Sequence, residues 1–250
     1  MPVTEMKIVQ KGSILVEAFE KAYSPAIALK KLCGVGGGST VTYLQSDRRI
    51  LVDTGFDFET NRSVENRSAN ERRLLQSLHN AGLRPEDIDA VFITHWHADH
   101  FLNLSLFPES EFLLSRTAVE RHAPDYTGVR DGEMIADGVQ VVYTPGHTID
   151  HASLLVTTGP LRFHERTQRG GSISGIGPST IAIAGDAVID ATYYALGRVW
   201  DYNSDFYSHE QTLESERLLC SAADFIIPGH GSIFMNTKKT SAPGPGVGVP

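Results

Sequence analysis

The chain has 250 residues, 41% of them hydrophobic, which is enough apolar material for a sizeable core and excludes an intrinsically disordered or disulfide-dependent chain. A formal net charge of −8 opposes long-range attraction to polyanions and anionic membranes, so nucleic acid would need a local basic patch. No run nears the ~18 apolar residues of a membrane span, and MPVTEMKIVQ lacks a signal-peptide layout; a soluble cytoplasmic protein is expected. In chain order, SILVEAF (13–19), STVTYLQ (39–45) and RILVDTG (49–55) predict strands in an antiparallel opening, separated by the Gly-rich CGVGGGS and the turn SDR. NERRLLQSLHNAGL (70–83) places Leu74, Leu75 and Leu78 at helical spacing before a stop at Gly82, and RPEDIDAVFIT (84–94) returns to strand. Further strands are predicted at 111–115, 139–144, 152–158, 180–185 and 224–229, with a helix at 208–222 between the last two. ERTQRGGSISGIGPS (165–179) reads as a flexible insertion and SAPGPGVGVP (241–250) as a Pro/Gly tail, leaving one domain over 1–240.

Several weaker signals are set aside. GVGGGS (34–39) lacks the Lys-Ser/Thr of a phosphate loop, and Ser39 stands where a dinucleotide fingerprint needs its third glycine. GGSISG (170–175) does not fit the nucleophile elbow of a serine hydrolase, because position 173 is Ile. Cys33 and Cys220 form neither a disulfide framework nor a Cys-x-x-Cys pair, and read as reduced, buried small residues.

The strong signal lies at the ends of four predicted strands. AVFIT leads into His95, VQVVYTPG into His147, TIAIAG into Asp186 and DFIIPG into His230. A lone His after Pro-Gly is an ordinary turn residue, but four residues of metal-ligand type at four strand ends can be aimed at a common point by a sheet scaffold. Within THWHADH (94–100), His95 and His97 sit two apart in an extended segment, so both rings can face one side and chelate one ion. A helix starting near Asp99 would turn Asp99 and His100 toward a second position. Metal coordination would offset the desolvation cost of such a cluster.

In this order and at these separations, THWHADH, TPGHT, AGDA and PGHG resemble the metallo-β-lactamase superfamily, specifically its His-x-His-x-Asp-His dinuclear hydrolase branch, over residues 13–235. The resemblance implies an α/β fold: a four-layer αββα sandwich of two mixed sheets flanked by helices, with the metals at one edge. It assigns His95, His97 and His147 to a first metal, Asp99, His100 and His230 to a second, and Asp186 to both. Asp53 of LVDTG is similar to the aspartate that supports those ligands from behind. Imidazole and carboxylate donors suit two Zn²⁺ per chain, with Fe or Mn also feasible. Two ions ~3.5 to 4 Å apart can hold a bridging hydroxide as nucleophile, so the expected reaction is hydrolysis. Asp99 and Asp186 are the expected catalytic residues, Asp99 either orienting the hydroxide or handing a proton to the leaving group.

Departures from relatives narrow the substrate. Secreted β-lactamases of the superfamily use a cysteine ligand and lack the last histidine of the first motif; here His100 is present and Cys220 is displaced from PGHG, so antibiotic hydrolysis is not expected. TPGHTIDHASLLV is similar to glyoxalase II-like thioesterases and to lactonases, without an evident glutathione-binding segment after His230. HFLNLSLFP (100–108) resembles small single-domain members, some of them linked to RNA cleavage. The expected function is hydrolysis of small esters, thioesters or lactones, with phosphodiester or RNA cleavage as the alternative and a mononuclear iron persulfide dioxygenase ranked below both. A metal-bound scaffold without turnover has no positive sign in the sequence. The expected partner is a small molecule; nucleic acid is not favoured, no membrane is involved, and the oligomeric state is left open.

Other residues divide evenly. His151 either orients a ligand or is an exposed turn residue. His79 and His122 lie in helical or turn patterns and read as structural. Tyr193, Tyr194, Trp200, Tyr202, Phe206 and Tyr207 could form a pocket wall or cover a core edge. Arg162, Arg166, Arg169 and Arg198 could meet an anionic group, although surface solubilisation is the ordinary role of such residues.

Overall fold

The computed structural model describes residues 2–14, 37–57, 67–164 and 177–239, with only the backbone described at 161–164. The first half begins with an antiparallel meander of β1 (Val3–Gln10), β2 (Val41–Gln45) and β3 (Arg49–Val52). It continues in parallel through β4 (Ala90–Phe92), β5 (Glu111–Ser115) and β6 (Thr127–Val129). Parallel neighbours need crossovers. These carry the helices α1 (Arg67–Asn80), α2 (Ala98–Phe101) and α3 (Arg116–His122).

The second half contains β7 (Met134–Ala136), β8 (Val139–Tyr143), β9 (Ala152–His164), β10 (Ser179–Gly185), β11 (Phe225–Pro228) and β12 (Phe234–Met235), hydrogen-bonded in that order. The helices α4 (Ala191–Leu196) and α5 (His209–Ala222) lie between β10 and β11. Strand β9 joins the halves. Its first part pairs with β8 on one side and β10 on the other, and its far end runs parallel to β1, with Glu5 opposite Arg162 and Lys7 opposite His164.

Strand alternation decides which residues fill the space between the halves. Leu44, Ile50, Val52 and Phe92 from the first half meet Val141, Leu154, Val156, Ile181, Ile183 and Ile227 from the second in one buried cluster. Their neighbours point outward. Tyr43, Leu51 and Val91 pack under Leu74 and Leu78 of α1, while Ala182, Ala184 and Ile226 pack under Leu219 and Cys220 of α5. Helix, sheet, sheet and helix therefore form four layers, and each fully buried aliphatic side chain contributes roughly 1.5–3 kcal/mol of transfer free energy.

The predicted elements are found with instructive exceptions. The antiparallel opening is present, but Ser13 and Ile14 are not in a strand, and the rest of 13–19 lies outside the described residues. A strand not predicted from the sequence is found at Val3–Gln10, where Met6 faces the core and Glu5 and Lys7 pair with each other at 3.3 Å. RILVDTG stops at Val52 because Asp53 takes φ 58, a left-handed conformation that ends a strand. In α1, Leu74 and Leu78 are buried but Leu75 is 38% exposed, since adjacent helical positions point about 100° apart. The chain leaves this helix through Gly82 at φ 74, with Leu83 N–H donating to Leu78 O at 2.9 Å. Strand β9 runs past Gly159–Pro160 to His164 because β1 pairs with its far end. Of the predicted insertion, 165–176 lies outside the described residues and Ser179 opens β10; the tail 241–250 and Cys33 also lie outside them. Among the described residues no helix is long and apolar enough to cross a membrane.

Candidate metal centre

β8, β10 and β11 run in one direction, so their C-terminal ends share an edge, and the end of β4 is tied to the same edge by Ala152 N–H donating to Thr94 O at 2.8 Å. Thr40 N–H donates to Gly229 O at 2.7 Å, a second link between the halves. The loops leaving these strands bring His95, His97, His147 and Asp186 into one buried group and Asp99, His100 and His230 into another, with donor atoms inside each group within 4.8 Å of one another. All seven sequence-predicted residues are thus assembled.

The turn into α2 separates the two groups. His97 is its extended N-cap residue, φ −95 and ψ 143, so His95 and His97 both face the first group with ring centroids 4.5 Å apart. Asp99 and His100 fall in the helical turn and face the second. His95 Nε2 is 2.8 Å from His97 Nδ1, which is 3.1 Å from His147 Nε2, and Asp186 Oδ2 lies 3.3 Å from His147 Nε2 and 3.9 Å from His95 Nε2. On the other side Asp186 Oδ1 is 3.4 Å from His100 Nε2 and 3.3 Å from His230 Nε2, and Asp99 Oδ2 is 3.5 Å from His230 Nε2. Gly229 permits this approach: a Cβ there would overlap Asp186 Oδ1.

The outer faces of these ligand-type residues are also held. Asp53 accepts from Thr94 N–H at 2.9 Å and contacts His100 Nδ1 at 2.8 Å through its other oxygen. Thr54 N–H and its hydroxyl both donate to His100 O at 2.7 Å, so the LVDTG segment clamps α2. His230 Nδ1 faces Ser13 O at 3.0 Å and Gly38 O at 3.1 Å. His97 Nε2 faces both carboxylate oxygens of Asp205 at 3.1 Å. His151 is buried, and its Nε2 accepts from Asp186 N–H at 3.0 Å while Nδ1 meets Thr144 Oγ1 at 2.8 Å. Of the two readings of His151, the orienting one holds, through the backbone of Asp186.

Burial dominates the electrostatics and is overcome only where carboxylates gather. It holds His95 and His151 well below the ordinary imidazole value and His147 down at about 3. Burial also opposes charge on His100 and His230, but Asp53, Asp186 and Asp99 lift His100 well above that value, and Asp186 and Asp99 raise His230. Asp186, despite burial, is kept well below the carboxylate range by His230 and His100.

This donor set fits cations. His100 Nε2, His230 Nε2 and both oxygens of Asp186 are buried without a hydrogen-bond partner, an arrangement that costs free energy unless something else coordinates them. Donors ~2.0–2.1 Å from a tetrahedral Zn²⁺ lie roughly 3.4 Å apart, and the spacings of 2.8–3.9 Å in the first group bracket that value.

The remaining predicted residues stand apart. His79 is exposed near the end of α1. His122 has its Nε2 3.5 Å from Asp150 Oδ2 and its ring parallel to Trp96 at 6.0 Å. Trp96, between two ligand-type histidines, stacks on Phe101 at 4.0 Å and joins Leu104, Pro108, Phe112 and Tyr126 around an apolar groove of about 350 Å³. The aromatic stretch covers a core edge: Tyr193 and Trp200 pack with Ile189, and Tyr194 packs on Phe234, while Tyr202 and Tyr207 are exposed. Arg198 is exposed; Arg166, Arg169 and the side chain of Arg162 are outside the described residues. Asp205 is a residue that sequence reasoning missed. It lies 108 positions from His97, and nothing local distinguishes it from other loop acids.

The family model for the metallo-beta-lactamase superfamily matches residues 34–230. Metallo-beta-lactamase domain-containing protein 1 of Xenopus laevis is 31% identical over 213 residues, 80% of this chain and 73% of the relative; its Mus musculus counterpart is 30% identical over 210 residues, 82% and 68%. An N-acyl homoserine lactonase of Bacillus sp is 30% identical over 101 residues, 35% of this chain and 40% of that protein. Two solved structures share the fold: one from Thermotoga maritima assigned to the metallo-β-lactamases (21% identity, TM-score 0.58, 92% of this chain and 98% of that one) and a quorum-quenching N-acyl homoserine lactone lactonase (19%, 0.60, 92% and 93%). With its motifs gathered at one sheet edge and the family model spanning most of its length, the chain belongs to the metallo-β-lactamase superfamily of metal-dependent hydrolases.

Proposed function

We propose that the chain is a dinuclear hydrolase of small esters, thioesters or lactones, with Zn²⁺ as the first-choice metal. The observation that carries this reading is the position of Asp186, whose Oδ2 is 3.3 Å from His147 Nε2 and whose Oδ1 is 3.3 Å from His230 Nε2, so that one carboxylate borders both groups. His95, His97 and His147 would hold one cation, Asp99, His100 and His230 the other, and Asp186 both. Bound there, the pair would supply an activated water at neutral pH and charge compensation for a developing oxyanion.

The chain's own residues would do the rest. His151 and Gly229 keep the Asp186 carboxylate between the groups; Asp53 and Thr54 fix the turn that aims His100. Asp99, whose burial raises its pKa, is the candidate to pass a proton to the leaving group. Relatives named as N-acyl homoserine lactonases support a lactone or ester substrate, and the net charge of −8 weighs against long polyanions. A cytoplasmic location and a small-molecule partner complete the reading.

Metal analysis of protein purified without added metal should find about two ions per chain. An activated ester, thioester and lactone panel should show turnover faster than a phosphodiester, with Asp186→Ala as the control for contaminating activity. Efficient metal-dependent RNA cleavage at low and moderate salt, with no small ester turned over, would replace this reading with the nuclease one. One iron per chain and oxygen consumption on a persulfide would replace it with the oxygenase.

A further inference from the structure

Asp205 sits in the connection between α4 and α5, and this connection is docked on the loop that carries His147. Tyr207 N–H and Ser208 N–H both donate to Gly146 O, at 3.1 and 3.0 Å. From that position the carboxylate of Asp205 places both oxygens 3.1 Å from His97 Nε2. The other ring nitrogen of His97, Nδ1, is the atom that faces His95 Nε2 and His147 Nε2. A neutral imidazole carries one N–H, and a carboxylate accepts but does not donate. The contact at Nε2 therefore selects the tautomer whose Nδ1 lone pair points into the first group.

We infer that Asp205 is a positioning residue, which fixes the His97 ring with its proton on Nε2 and so prepares Nδ1 to bind a cation in the first group. The inference rests on the metal-centre reading proposed above. It also explains a difference in exposure among the partners of the histidines. Asp53 behind His100 is buried, as is the Gly38 O contact of His230, whereas the Asp205 side chain is 58% exposed and lies 108 positions from His97. The orientation of His97 thus depends on an exposed carboxylate delivered by the docking of the connection between α4 and α5. No catalytic contact is assigned to Asp205, because the His97 ring stands between it and the first group.

The test compares Asp205→Ala, Asp205→Asn and Asp201→Ala with the wild type. Asp201 lies in the same connection but pairs with exposed His209 at 3.0 Å, so its variant controls for loop docking. Two readouts are needed: Zn²⁺ retention against a competing chelator, and the ring tautomer of His97 by ¹⁵N NMR in the metal-free protein. Removing an outer partner of a ligand histidine costs ~10–100-fold in metal affinity, and the exposure of Asp205 sets the expectation at about tenfold for one ion of the two. Asp205→Ala should show that loss and a mixed His97 tautomer, Asp205→Asn should hold the ring but leave the tautomer mixed, because its amide can donate to Nε2 as well as accept from it, and Asp201→Ala should match the wild type. An unchanged tautomer in Asp205→Ala would overturn the inference, as would an equal loss of Zn²⁺ in Asp201→Ala. If the wild type itself bound no Zn²⁺, the metal-centre reading would fall, while the tautomer would still decide what Asp205 does to His97.

Discussion

His95, His97 and His147 present three imidazoles to one carboxylate oxygen of Asp186, whereas His100 and His230 share the other oxygen with the carboxylate of Asp99. The second group is compensated within the protein: its imidazoles are raised by Asp53, Asp186 and Asp99, and their outer nitrogens meet a buried carboxylate and backbone carbonyls. In the first group burial keeps His95 and His147 neutral, and His97 is held from an exposed loop. Equal numbers of donors thus stand on unequal supports. Each half should be separable from the other by mutation, except through Asp186.

Four substitutions put that separation to the test. The largest effect is expected from Asp186→Ala, which removes a donor from both groups: both ions should be lost and activity should fall by more than ~100-fold, beyond the cost of losing an outer partner. Full retention of one ion would show that the carboxylate serves a single group. Asp53→Asn keeps a residue that tolerates the left-handed backbone at φ 58 but removes the charge behind His100. Chelator competition should show ~10–100-fold weaker binding of one ion and an unchanged second, the complement of the Asp205 result. Loss of both would mean that the supports are not independent.

A smaller effect is expected at His151. Replacing it by Leu leaves Asp186 N–H buried without its partner, at a cost of ~1–3 kcal/mol, while Thr144 Oγ1 keeps Ser153 Oγ at 2.7 Å. Urea unfolding of the metal-free protein should register a loss in that range; an unchanged midpoint would show that the backbone of Asp186 is held by other contacts. His122→Ala is the smallest. It is an exposed residue outside both groups, so metal content should not change, and stability should fall by no more than ~1 kcal/mol through the lost contact to the buried Asp150 carboxylate. A drop in bound metal would reveal coupling through Trp96, the residue it stacks on.

Much of the candidate site is legible in the amino-acid sequence because its ligand-type residues come in short, local patterns. THWHADH carries its own geometry: an extended pair of histidines, then a helical turn that sends Asp99 and His100 elsewhere, as observed from His97 onward. The strand ends before His147, Asp186 and His230 are readable because β-branched runs stop at Gly or Pro-Gly. The resemblance supplies the four-layer arrangement, which strand periodicity alone does not order. Local pattern misses the strand Val3–Gln10, whose polar Thr4, Glu5 and Lys7 interrupt its apolar residues; pairing with β2 and β9 makes it a strand.

The order of amino acids is enough to name which side chains can donate to a cation, in what local geometry, and at the ends of which strands. Folding in three dimensions settles which far-off groups stand behind those donors. Asp205 reaches His97 across 108 positions, His151 turns inward to hold the backbone of Asp186, and Gly229 leaves room for a carboxylate from another strand. The physical reason is that a ligand's type and spacing are local properties of the chain. Its outer hydrogen bond is a long-range contact, made only when sheet order and loop docking bring two segments together.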